Sequence, residues 1–373
     1  MKSISCIIVL LLSIELSAQQ VQVSVFNSYP VNTIILSSYS DDFTITCMGE
    51  KVSTLNAGKI FYISLYNTSL LLNDENGTLA CYDELTLSPA NETSKLRIAL
   101  INPKVSARNY SGKIHLRIEY GRILILNEIN TEQYIAGVVE AESGINASPE
   151  FYKAQALLCR TYMFSHLNRH ETEGFNLCDE VHCQAYKGIT PFTASILESS
   201  MQTAGKIITD ETNQPITAAF HGNCGGETES ALNIWLKPES YLVPVKDPYC
   251  TQTANANWEV KIPLHQWKKY LTTKGFKPSA SISALETKNR NRQIYYRVNN
   301  DSILTKQIRS DWNLKSAYFQ VKVKNNTVHI MGHGYGHGIG LCQDGAMNMA
   351  KKGLNYSEIL KFYFKNVKIS DVR

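Results

Sequence analysis

The chain has 373 residues, of which 43% are hydrophobic and 19% charged, with a formal net charge of +4. That length suffices for two domains or one large one. The charges are mixed along the chain, and the single basic cluster, Lys288 to Arg292, reads as a solvated loop, so nothing argues for a nucleic-acid partner.

Lys2, the apolar run Ile7 to Leu12 and Leu16-Ser17-Ala18 ahead of Gln19 read as a secretory signal peptide over residues 1–18. The run is short for a membrane span, Glu15 closes it, and no second apolar run approaches spanning length. The mature chain is therefore expected to be exported, to the periplasm or cell envelope, with no transmembrane helix after signal removal. Eight of the nine cysteines follow the signal. An even count in an exported chain suggests disulfides, with Cys47–Cys81 and Cys224–Cys250 as local pairs. Cys159 sits on an apolar helix face and reads as a buried thiol.

Residues 19–104 carry short β-type runs, among them Val21–Phe26, Thr33–Leu36, Phe43–Thr46 and Ile60–Leu65, punctuated by turn residues. They form a small β-rich N-terminal module. Two alternating runs follow, Gly112–Ile118 and Arg122–Leu126, joined by a Tyr120-Gly121 turn. Asn130 then caps a helix from Thr131 to about Glu142, with Gln133 placed for a capping box and Tyr134, Ile135, Val138 and Val139 as its apolar stripe. Ser148-Pro149-Glu150 opens a second helix, expected over 149–166, with a cap, a proline at the first position and an acid in the first turn. Glu142 thus falls at a helix C-terminus, where the dipole disfavours its charge. Glu140 lies about 200° round the same helix and reads as solvated.

Residues 332–353 read GHGYGHGIGLCQDGAMNMAKKG. Strand-like runs at 321–324 and 328–331 precede them, and Asp344 to Lys352 reads as a short helix stopped by Gly353. If the run is extended, His333, Tyr335 and His337 project from one side. The alternating glycines admit neither G-x-G-x-x-G nor a Gly-Lys-Ser/Thr phosphate loop. They also disfavour the helix on which His333 and His337 would be spaced as metal ligands. A tight loop with hydrogen-bonded histidines and a substrate-contacting loop both remain open.

Several ordered segments together resemble the sporulation stage II protein D (SpoIID) and LytB amidase-enhancer family of bacterial cell-wall proteins. They are Arg108–Gly112 (RNYSG), Asn127–Val139 (NEINTEQYIAGVV) leading to Glu142, Lys153–Tyr162 (KAQALLCRTY), Gln343–Ala346 (QDGA) at the end of the glycine-histidine run, and Tyr356–Leu360 (YSEIL). Gln184–Tyr186, Gly225-Gly226 and the stretch 304–319 also look like the family. The resemblance covers roughly 105–373, with the β-rich module unexplained. It departs just after Glu142, where Ser143-Gly144 stands in place of a common Met-Pro.

The resemblance implies a mixed α+β catalytic domain over 105–373. It also implies a lytic transglycosylase that cleaves the MurNAc–GlcNAc bonds of peptidoglycan glycan strands and leaves 1,6-anhydroMurNAc ends. Glu142 stands where the family has its catalytic acid, and one carboxylic acid acting first as acid and then as base suffices for that cleavage. The implied substrate contacts are Gln155, Arg160, Tyr162, His221, Asn223, His333, Tyr335, His337 and Gln343. No cofactor is required. A structural zinc is implied at Cys178 and Cys183 with His170 or His182 as third ligand, and a Cys178–Cys183 disulfide is the alternative. The other functional reading is a non-catalytic wall-binding enhancer of an N-acetylmuramoyl-L-alanine amidase. A mild positive charge suits an anionic wall polymer.

Overall fold

A computed structural model describes residues 19–190, 193–235, 237–277, 281–289 and 291–372. The signal peptide expected over 1–18 lies outside the described residues, as does Arg290 of the basic cluster. The fold is mixed α+β with a β-rich N-terminal region. It divides into two compact units. Among the described residues, one holds those up to Tyr134 together with Asn168–Ile189, and the other holds Ile135–Leu167 and those from Thr190 onward.

Alternating polarity builds the first unit. In the strand Gln20–Val25, Val21, Val23 and Val25 are buried, as a half-buried strand of period two requires. This strand pairs antiparallel with Arg122–Asn130 and parallel with the two-residue strand Leu177–Cys178. Lys113–Glu119, Glu84–Pro89, Phe43–Cys47 and Glu50–Leu55 complete a seven-stranded sheet. A six-stranded sheet contains Thr33–Ser38 and Ile60–Tyr66 at its centre. The two sheets touch where Ser69–Asp74 meets Glu84–Pro89 and Lys113–Glu119. Leu70, Leu72, Leu85, Leu87, Ile114 and Leu116 are buried there. Sheet pairing runs straight through the position near residue 105 where the sequence suggests a boundary, because Lys113–Glu119 pairs with Glu84–Pro89.

The helix α1 (Thr131–Ser143) follows directly on the strand Arg122–Asn130. Asn130 Oδ1 accepts from the Glu132 N–H at 2.8 Å, while the Gln133 carboxamide accepts from Ser111 Oγ. The expected apolar stripe is buried, and so are Ala136 and Gly137 between its members. Such burial all round marks an internal helix rather than a surface one. Gly144 ends it with φ of +72° and an N–H bonded to the Glu140 carbonyl.

The helix α2 (Pro149–Ser165) has its proline at the first turn, but the Ser148 hydroxyl makes no cap bond. The expected side-chain cap is thus not formed. In the second unit α2 packs against α3 (Thr193–Met201), the strand Lys206–Thr209 and the helices Gln343–Lys351 and Tyr356–Tyr363. A three-stranded antiparallel sheet, Asn257–Pro263, Thr327–His333 and Phe319–Lys324, covers a core around Trp267, Tyr296, Ile308 and Val321. No helix among the described residues is long and apolar enough to cross a membrane.

Candidate functional site

Glu142 lies in the last turn of α1 and is half-buried. The connection after it is pinned at both ends. Tyr152 Oη donates to the Gly144 carbonyl at 3.2 Å and accepts from the Ala147 N–H at 3.0 Å. Gln343 Nε2 donates to the Glu142 carbonyl at 3.2 Å and lies 3.5 Å from Ser143 Oγ. The missing Met-Pro is thereby offset by side chains from two helices. Glu140 is not the solvated residue that its sequence position suggests. Its carboxylate accepts from the Thr190 and Thr193 hydroxyls and fastens the start of α3.

The glycine-histidine run leads from the strand Thr327–His333 into the helix Gln343–Lys351, in the order expected. The run itself is not extended. Gly334, Gly336, Gly338 and Gly340 take φ of +76°, +107°, +87° and +72°, so His333, Tyr335 and His337 do not line one side. The cause is close approach: a Cβ at Gly340 would stand 2.1 Å from the Ala219 carbonyl oxygen, and one at Gly334 2.5 Å from that of Asn223. The run lies against the loop 219–225. Phe220–His221 pairs parallel with Leu341–Cys342, and Asn223 and Tyr335 exchange backbone hydrogen bonds of 2.8 and 2.9 Å.

The histidines sit in different surroundings. His333 Nδ1 meets Asn257 Oδ1 at 2.8 Å, and its ring lies 5.0 Å from Tyr318. His337 Nδ1 accepts from the Ile339 N–H at 3.0 Å, with its ring 5.5 Å from His221 and 6.0 Å from Trp235. His221 Nδ1 lies 3.0 Å from the Ile339 carbonyl and must donate to it, and its buried Nε2 has no partner. Burial, with His337 beside it, pushes the His221 pKa down to about 3. Burial and then Arg309 push His337 to about 4. Burial also lowers His333. The three rings are therefore neutral hydrogen-bonding groups near pH 7, not cationic anchors. Tyr335 is 50% exposed and is the one residue of the run with a large free surface.

Three expected contacts are committed elsewhere. Gln155 is fully buried on α2 beside Cys159, at 3.6 Å. Arg160 is also fully buried, and donates to the Lys206 and Ser200 carbonyls and Thr203 Oγ1. Asn223 is 1% exposed. Its Nδ2 donates to Cys250 O, Thr253 Oγ1 and Asp344 Oδ2, and its Oδ1 accepts from the Gly225 N–H. These side chains shape the loops and offer a ligand no surface. Tyr162, half-buried, stacks on His166 at 4.0 Å.

Arg292 corrects the reading of the basic cluster as a solvated loop. Its guanidinium donates to the Cys224 and Glu227 carbonyls at 2.8 and 3.0 Å, and lies 4.6 Å from the Tyr318 ring centre. Nothing in the sequence distinguishes it from the exposed Lys288.

All eight described cysteines are free, so neither Cys47–Cys81 nor Cys224–Cys250 is a disulfide. Cys159 is buried, as expected. In the first unit, Cys178 and Cys183 meet both candidate histidines, with one ligand atom from each of the four within 4.8 Å of the others. His170 Nε2 lies 3.4 Å from Cys183 Sγ, and His182 Nδ1 lies 3.8 Å from each sulfur. The other nitrogen of His170 is held by Glu173 Oε1 at 2.6 Å. A second group, Cys224, Asp247, Cys250 and Cys342, converges in the second unit. The sequence indicates only the local pair Cys224 and Cys250, and the fold adds Asp247 and the distant Cys342.

The fold class and these motif-bearing segments define a chain of one family. Residues 119–210 match the family model described as SpoIID, stage II sporulation protein. Stage II sporulation protein D of Bacillus subtilis (strain 168) is 30% identical over 270 residues, covering 66% of this chain and 76% of that protein. A protein of Brachyspira hyodysenteriae is 30% identical over 260 residues, covering 67% and 69% respectively. The amidase enhancer of Bacillus subtilis is 25% identical over 394 residues, covering 90% of this chain and 52% of that protein. The chain belongs to the SpoIID family, as its motifs indicated.

Proposed function

We propose that this protein is an exported peptidoglycan lytic transglycosylase in which Glu142 is the sole acid/base. The observation that carries the reading is the half-buried Glu142 at the end of α1, whose turn is held by Gln343 of the glycine-histidine segment. Kinship with the stage II sporulation proteins and the amidase enhancer supports a role at the cell wall. In the reaction, the Glu142 carboxylic acid gives its proton to the bridging oxygen as the MurNAc C1–O bond breaks. The resulting carboxylate takes the proton of the MurNAc 6-hydroxyl as that oxygen bonds to C1. The acid is regenerated and no water is consumed, so a second carboxylate is not required.

The His170, Cys178, His182 and Cys183 donors fit one zinc ion by their chemistry, two nitrogens and two sulfurs, with Glu173 orienting His170 from behind. Bound there, zinc would hold the segment 170–183 together, and no catalytic step passes through it.

Similarity to the amidase enhancer over 90% of the chain favours one other reading. In that reading the protein binds glycan without cutting it and stimulates an amidase. Purified protein incubated with glycan strands, with and without stem peptides, separates the two by mass spectrometry. Anhydro-ended products that disappear in Glu142→Gln support the enzyme. Glycan binding with no new ends supports the enhancer.

A further inference from the structure

The second cysteine group takes no part in the reading above. Sulfur atoms of Cys224, Cys250 and Cys342 and a carboxylate oxygen of Asp247 all lie within 4.8 Å of one another. All four residues are 0% exposed. Cys224 Sγ is 3.3 Å from Cys250 Sγ and 3.4 Å from Asp247 Oδ2. Tetrahedral zinc, with Zn–S near 2.3 Å, sets its sulfurs roughly 3.8 Å apart, so small side-chain rotations close these four atoms round an ion.

Asp247 separates a site from mere packing of thiols. A carboxylate this deeply buried ordinarily pairs with a cation or holds a metal. Its partners are the Tyr363 hydroxyl at 2.8 Å, the Tyr249 N–H at 2.8 Å and the Cys224 thiol, none of which carries positive charge. The surroundings are also shaped for the group. A Cβ at Gly345 would stand 2.3 Å from Asp247 Oδ2 and 2.2 Å from Tyr363 Oη, so only glycine leaves the carboxylate its place. The N–H groups of Cys224 and Gly345 point at Cys342 Sγ from 3.3 and 3.4 Å. That sulfur caps the helix Gln343–Lys351, so it accepts two N–H bonds, as metal-bound sulfurs commonly do.

We propose that Cys224, Cys250, Cys342 and Asp247 form a closed structural site for a thiophilic divalent metal ion of the zinc class. On binding, the thiols release their protons to solvent as metal–sulfur bonds form. With four protein ligands the ion keeps no open position, so its role is to cross-link. It joins the loop 221–226, the turn 247–250 and the start of the helix Gln343–Lys351, whose first residue bonds the Glu142 carbonyl.

The test reads metal content rather than glycan cleavage, so its failure leaves the proposed activity untouched. Full-length Cys178→Ser/Cys183→Ser protein, which lacks the first cluster's thiols, should retain one equivalent of metal by elemental analysis. After exchange to cobalt it should show thiolate-to-cobalt charge transfer and the intense visible bands of a tetrahedral site. Adding Cys342→Ser should abolish both signals. Should that protein not fold, near-isosteric Asp247→Asn in the otherwise unaltered chain should speed loss of the second equivalent to a chelator at least tenfold. A double variant that folds but neither carries metal nor takes up cobalt would overturn the site. So would recovery of Cys224 and Cys250 as one disulfide-linked peptide lacking the two thiol hydrogens.

Discussion

Gln343 reaches across 201 positions of sequence to donate its side-chain N–H to the main-chain carbonyl of Glu142. The bond satisfies a carbonyl at the end of α1, one of the four that a helix leaves without an internal partner. It also fixes the last turn on which the proposed acid rides.

Gln343→Ala should therefore cost about 1 kcal/mol of stability, the usual net value of one such bond. It should slow release of anhydro ends by roughly 10- to 100-fold through misplacement of the acid. The loss should fall on kcat more than on KM, because the bond is to the Glu142 backbone and not to glycan. An unchanged kcat in a folded Gln343→Ala protein would detach this contact from catalysis.

Acid should destabilise the fold before the carboxylates titrate. His221 and His337 are held neutral, with pKa values of about 3 and 4 against an ordinary value of 6.5. Between those limits the unfolded chain binds more protons than the folded one, so stability is full above about pH 6.5 and falls as pH drops. Each ring contributes a slope of up to about 1.4 kcal/mol per pH unit. Denaturant midpoints measured from pH 7.5 to 5 should show this fall, and His221→Asn should roughly halve it, leaving the part due to His337. A flat profile in the parent protein would mean that these rings accept protons while folded.

Arg160 resembles a substrate-binding arginine in sequence, yet its guanidinium is spent on buried carbonyls. Arg160→Met should destabilise by about 3 kcal/mol, since orphaned buried acceptors cost roughly 1–3 kcal/mol each. Glycan affinity of the remaining folded protein should not change. Weakened binding with unaltered thermal stability would return Arg160 to the substrate.

Gly340→Ala places a methyl group 2.1 Å from the Ala219 carbonyl oxygen at a φ of +72°. A loss on the order of 2–4 kcal/mol is expected from strain and clash together. The strand pair Phe220–His221 with Leu341–Cys342 should separate first, read as faster amide exchange at Leu341. Unaltered exchange and midpoint would show that the loop 219–225 yields freely.

At the first cluster, Cys178→Ser should release one equivalent of zinc and lower the thermal midpoint, because metal binding is coupled to folding. His182→Ala should weaken metal retention as His170→Ala does, since both rings reach the sulfurs. Full retention in His182→Ala would reduce the set to His170 and the two cysteines.

Much of this molecule is determined by local sequence. The strands around Val21–Val25 and Ile114–Leu116, and the helices α1, α2 and Gln343–Lys351, follow from apolar spacing, a proline at a helix start and glycines at helix ends. These depend on residues a few positions apart, and the motif order across five segments was enough to indicate the family. What the tertiary structure alone decided involves distant partners. The sequence leaves the glycine run open to an extended form or a tight loop, and the close approach of the Ala219 and Asn223 carbonyls selects the loop. Arg292 and Glu140 looked solvated because a charged side chain in a polar stretch carries no mark of the carbonyls or hydroxyls that will surround it. The convergence of Cys224, Asp247, Cys250 and Cys342 spans 118 residues. Spacing suggests only the local pair Cys224 and Cys250, because Cys342 joins them only once Phe220–His221 pairs with Leu341–Cys342.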